Sequence, residues 1–161
     1  MLELPHTAGC LVCGRDNPHG LHLHLRVDEQ TGVVETDFSP TVHHIGFEGI
    51  LHGGVLATVL DEAMVWAAIW SGKRACVAAD LYVRFKHSAV PGQPLHVTAK
   101  VKESRARLIT VTGEIRNAVG TLIATGEAKY VPLPPERHAA FATTFVNDPA
   151  TARAAEMLGA G

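Results

Sequence analysis

The chain has 161 residues, 47% of them apolar and 19% charged, with a formal net charge of -2. That length fits one domain of ordinary globular composition and leaves no room for a second catalytic domain. The near-neutral balance excludes a general electrostatic pull toward nucleic acid or an anionic membrane and directs the search to a small-molecule substrate.

The first five residues, Met-Leu-Glu-Leu-Pro, lack the basic start and apolar core of a secretory signal, so a cytoplasmic protein is expected. Cys10-Leu-Val-Cys13 follows, with His19, His22 and His24 close behind. These are zinc-ligand residue types, but a second C-x-x-C is missing, and His22 and His24 share one face of a strand at spacing two with or without metal. The expectation is a small turn packed by two reduced thiols, with no metal and no cofactor.

Residues 21–28 alternate apolar and polar side chains, and residues 32–38 follow after a polar turn, which predicts a hairpin. Residues 39–51 hold Pro40, His43, His44, Gly46 and Gly49 without a sustained period and predict a loop. Residues 55–70 form an apolar run with Asp61 and Glu62 at its centre. Those charges would be costly in lipid, so the run predicts a helix buried in protein. Ser71-Gly72-Lys73 supplies a stop. Alternating runs at 75–85, 95–101, 108–116 and 122–130 then predict long antiparallel strands.

Two strands, one helix and four strands read as α+β. A helix apolar on every side can be covered only by a sheet that curls around it, so a long central helix wrapped by about six curved antiparallel strands is expected. The domain runs over 1–161, with a core at about 10–132 and a tail at 133–161 of short surface helices or frayed chain.

His52-Gly53-Gly54 opens the helix, and Asp61 stands eight residues after Gly53. The first N–H groups of a helix lack intrahelical acceptors and sit at its positive end, where a polarised carbonyl or oxyanion docks. A carboxylate two turns on is a candidate base, and the pair reads as acyl transfer, most simply hydrolysis. Among Val59, Leu60, Ala63 and Met64, an unpaired carboxylate costs several kcal/mol, which favours a functional reason for Asp61. Glu62 lies about 100° further round the helix and is read as a structural or dimer-contact residue.

The run Gly46-Phe-Glu-Gly-Ile-Leu-His-Gly-Gly-Val-Leu-Ala-Thr-Val-Leu-Asp-Glu-Ala-Met64 resembles the hotdog-fold, PaaI-like acyl-CoA thioesterases of the phenylacetate-degradation type. The resemblance spans about residues 10–132. It implies that Gly53 polarises a thioester carbonyl through its N–H, that Asp61 activates water or attacks the carbonyl, and that His52 organises the loop and substrate. It further implies a homodimer or homotetramer with sites built between protomers and acyl-CoA as the substrate. His44 and Gly54 are substrate-side candidates, and Arg84, Lys86, Arg105 and Arg107 are candidates for coenzyme A phosphates. Many relatives carry Ser or Thr where the match puts Ala78, which leaves three alternatives: replacement of that hydroxyl by His44 or Glu62 through water, a slow enzyme, or a protein whose main task is acyl-CoA binding. Two other readings remain: a non-catalytic acyl-CoA binding or sensing protein, and a hotdog hydratase or dehydratase.

Overall fold

A computed structural model describes residues 1–159, so the last two residues of the expected tail lie outside the described residues. The chain order is β1 (Leu2–Glu3), β2 (Arg26–Val27), β3 (Val34–Phe38), α1 (Gly53–Gly72), β4 (Cys76–Phe85), β5 (Leu95–Arg105), β6 (Leu108–Asn117), β7 (Leu122–Pro132), α2 (Pro135–Ala142) and α3 (Ala152–Met157). Seven antiparallel strands form one sheet in the order β1-β2-β3-β5-β6-β7-β4, curved around α1 in the hotdog arrangement. The strand beyond the expected six is β1.

Helix α1 is two residues longer at each end than the apolar run. His52 caps its start, and Lys73 ends it in the left-handed region at φ 48°. Val59, Leu60, Ala63, Met64, Ala67 and Ala68 are fully buried along it. The helix is long and apolar enough to cross a membrane, yet the sheet and the chain ends cover it as a core element. Close approach is made by two glycines. Gly113 and Gly126 are paired across β6 and β7. A Cβ on Gly113 would lie 3.2 Å from Leu60 Cδ2, and one on Gly126 would lie 2.9 Å from Met64 Cε. Without side chains at those positions, α1 seats directly on the sheet.

The structure adds detail to three expectations. The stretch 21–28 buries Leu23, Leu25 and Val27 in alternation, but only Arg26–Val27 is laddered, because His22 has φ 54° and breaks the strand. The loop at 39–51 contains a 3-10 turn, Val42–His44, closed by a capping box between Thr41 and His44. The tail takes the first of its two expected forms, the short helices α2 and α3, and it docks: Phe141 and Phe145 pack on Trp66 with ring centroids 6.2 and 6.1 Å away, and Ala154 and Leu158 are buried.

Strand β4 pairs with β7 and leaves its other edge unpaired. Leu81 and Phe85 alternate with Tyr82 and Arg84 along β4, and they are 38% and 55% exposed because an edge strand has cover on one side only.

Leu60 is fully buried against the glycine pair. Leu60→Ala should lower unfolding free energy by about 3 kcal/mol in chemical denaturation, since the glycines opposite have no side chains with which to fill the cavity.

Candidate active site

The loop before α1 is held by its own backbone. Gly46 N–H donates to the Ile50 carbonyl at 2.9 Å, Ile50 N–H donates to Phe47, and Glu48 and Gly49 turn the chain with φ 48° and 75°. His52 N–H donates to the His44 carbonyl at 2.9 Å, which ties this loop to the helix start. A Cβ on Gly46 would lie 3.1 Å from the His52 ring, so the glycine makes room for that ring.

His52 is the N-cap. Its Nδ1 accepts from Gly54 N–H at 2.9 Å, and its carbonyl accepts from Val55 N–H at 3.0 Å. An accepting Nδ1 leaves the ring proton on Nε2, so the ring is a neutral donor and not the principal base. The Gly54 N–H is taken by this bond. Among the described residues Gly53 N–H has no acceptor, so it is the helix-start donor available to a ligand. A Cβ on Gly53 would lie 3.0 Å from Phe85 Cζ, which places the end of β4 over this donor.

His44 Nδ1 accepts from Thr41 N–H at 2.9 Å, and its ring lies 5.4 Å from that of Phe38. His44, His52 and Gly54 line one cleft of about 1230 Å³, whose opposite wall is Leu21, His22 and Leu23 of the N-terminal segment. Arg84 is elsewhere. It lines a second cleft of about 1080 Å³ on the sheet, and its Nε donates to the Tyr82 hydroxyl at 3.1 Å. Lys86 is exposed and lines neither cleft, and Arg105 is paired with Glu103. The structure therefore brings His44, His52, Gly53 and Gly54 together and leaves Arg84 and Lys86 apart.

Asp61 also stands apart from the helix start. Eight residues of helix separate it from Gly53 by about 12 Å of axial rise. Its Oδ1 accepts from the Tyr130 hydroxyl at 2.7 Å, and Oδ2 has no partner among the described residues. Tyr130 is fully buried and pairs in register with Ala78 of β4. A hydroxyl on the strand adjacent to Ala78 thus holds the Asp61 carboxylate. Burial and the Asp61 charge both push the Tyr130 phenol well above its usual range, so it stays a donor. The missed signal was Tyr130 itself: a phenol at an inward strand position needs an acceptor.

Glu62 is held within the chain, as its structural reading expects. Its Oε1 accepts from Trp66 Nε1 at 3.1 Å, and it faces Cys10 and Cys13, which are free thiols. Burial pushes the Glu62 carboxyl up to about 7. His19, His22 and His24 are not part of this cluster.

The thioesterase superfamily family model matches residues 48–124, the segment that holds the helix start, Asp61 and the strands around them. The chain has the hotdog fold, and its central segment is similar to the thioesterase superfamily. It is 30% identical to a thioesterase superfamily protein, RHA08564, over 76% of this chain and 62% of that one, with a TM-score of 0.70. A phenylacetic acid degradation-related protein from Ralstonia eutropha JMP134 is 25% identical over 69% of this chain and 85% of its own, with a TM-score of 0.63. An uncharacterized mitochondrial protein from Candida albicans (strain WO-1) is 29% identical over 68% of this chain. The match spans 52% of that relative's length.

Shelter from water, and then the neighbouring His43, hold the His44 imidazole below its usual 6.5. The unfolded state therefore binds the proton more readily. The stability linked to His44 is complete above pH 6.5 and is lost as pH falls from 6.5 through the lower folded value. Ring NMR should give a His44 midpoint below 6.5, and His44→Gln should flatten the stability profile in that window.

Proposed function

We propose that the protein is an acyl-CoA thioesterase whose sites form between two copies of the chain. The observation that carries this reading is the unpaired Gly53 N–H at one end of α1 together with the Tyr130-held Asp61 carboxylate about 12 Å along the same helix. One thioester cannot reach both groups of one protomer. Strand β4 offers a solution, since its outer edge is unpaired and Val77, Leu81, Tyr82 and Phe85 are exposed on it. Ala78, near one end of β4, lies by Tyr130 and Asp61, and Phe85, at the other end, lies over Gly53. Antiparallel pairing of two β4 edges about a two-fold axis near Leu81 brings the Ala78 end of one copy to the Phe85 end of the other. Asp61 then meets the partner's Gly53.

In that site the Gly53 N–H polarises the thioester carbonyl. Asp61 either takes a proton from water as the water oxygen bonds to the acyl carbon, or attacks that carbon itself to give an anhydride that water opens. In both routes the carbon–sulfur bond breaks, the thiol leaves with a proton, and the carboxylic acid is released. The cleft beside His44 and His52 suits the acyl chain or the pantetheine arm. A protein of the same fold, smu.793 from Streptococcus mutans UA159, at 16% identity and TM-score 0.65, is described as bound to acetyl CoA, which supports a coenzyme A ester as the ligand class. Tyr130 argues against a purely binding role, because it fixes the Asp61 carboxylate as a base or nucleophile requires.

Thiol release from short, medium, long and aromatic acyl-CoAs is the test. Asp61→Asn should lose activity by about two orders of magnitude or more with the fold retained, while Tyr130→Phe should lose roughly tenfold. No thiol release by the wild-type protein from any substrate, or equal release by Asp61→Asn, would overturn the proposal. Random mixing of Asp61→Asn with a Gly53→Val chain should restore about a quarter of wild-type activity, because each heterodimer holds one unaltered site. No recovery in verified heterodimers would place both groups in one chain.

A further inference from the structure

We propose that Cys10, Cys13 and Glu62 form a divalent-metal site, with Zn²⁺ as the best-fitting ion, that clamps the N-terminal segment onto α1. One ligand atom of each residue lies within 4.8 Å of the others. Tetrahedral zinc with thiolate and carboxylate ligands needs separations of roughly 3.6–3.8 Å, so closure takes at most about 1.2 Å.

The local chain is built for two sulfur ligands. Gly14 N–H donates to the Cys10 carbonyl at 3.1 Å, which closes a tight turn around the C-x-x-C, and Val12 N–H donates to Cys10 Sγ at 3.3 Å. Glycine is required after Cys13: a Cβ on Gly14 would lie 2.4 Å from Cys10 backbone atoms and 2.6 Å from the Ala8 carbonyl oxygen. The turn is fixed by Leu21 N–H to the Leu11 carbonyl and Leu23 N–H to the Val12 carbonyl, both at 2.8 Å. These bonds preorganise the thiols before any ion arrives.

The third ligand comes from the helix. Trp66 Nε1 donates to Glu62 Oε1 at 3.1 Å and so fixes which way the carboxylate turns. Among the described residues no Lys, Arg or His forms an ion pair with Glu62. Cys13 is buried and Cys10 half-buried, so the cluster holds acidic groups in poor solvation without a protein cation. Two sulfurs with one carboxylate favour zinc over magnesium or calcium. Three protein ligands leave the fourth position to solvent on the Cys10 side. Binding converts both thiols to thiolates and releases their protons to solvent. The clamp acts at the residue after Asp61 and holds the segment that walls the His44 cleft.

The test uses the reduced full-length protein with Co²⁺ or Zn²⁺ alone. One equivalent of Co²⁺ per chain should give thiolate-to-metal charge transfer and tetrahedral visible bands, displaced by one equivalent of Zn²⁺. Cys13→Ser should weaken zinc binding by about 100-fold or more, and Glu62→Gln by roughly tenfold with the thiolate band kept. Cys76→Ser should match the wild type. Absence of the charge-transfer band in the folded, reduced wild type overturns the proposal, as does equal zinc affinity in Cys13→Ser. Oxidation to a Cys10–Cys13 disulfide with no metal uptake by the reduced chain also overturns it and assigns the pair to thiol redox chemistry.

Discussion

Burying a helix that is apolar on every side is the constraint from which the other features follow. Such a helix has no face to give to water, so a flat sheet on one side would leave it half exposed. The sheet must curve, and the Gly113 and Gly126 pair lets it curve close to Leu60 and Met64. Strand order makes β4 an outer strand with one edge unused among the described residues, and the curved sheet leaves one side of α1 for other parts of the chain to cover.

The same helix governs the chemistry. Its start presents a donor because capping by His52 satisfies the N–H of Gly54 and not that of Gly53. Its middle carries a carboxylate that a buried phenol holds in place. A rigid rod keeps these two groups apart, so in the proposed mechanism the distance that prevents reaction within one chain is also what makes pairing across β4 productive. The end of β4 over Gly53 and the strand position beside Tyr130 put both halves of that arrangement along one edge.

Local patterns in the sequence carried much of this. The apolar run with its glycine start and Ser-Gly-Lys stop marked α1 to within two residues, and alternation marked β5, β6 and β7. What escaped depends on partners distant in sequence. Alternation in β4 was read correctly as strand, but its exposure depends on which strand lies beside it, and β7 is some forty residues away. The left-handed backbone at His22 has no signature in an alternating run. At the site, His52 and Gly53 were legible because their geometry is local to one turn. The Tyr130 bond to Asp61, 69 residues apart, and the approach of Cys10 and Cys13 to Glu62 are tertiary contacts with no periodic signal.

Trp66 shows how the two ends of the chain share one task. Its indole N–H is spent on Glu62, beneath the N-terminal cysteine turn, while its ring is covered by Phe141 and Phe145 from the tail. One side chain thus joins both termini to the middle of the helix. A hotdog protein of this type that lacked the tail could not keep a tryptophan here without exposing it, so the length of the C-terminal segment and the size of residue 66 should vary together among relatives.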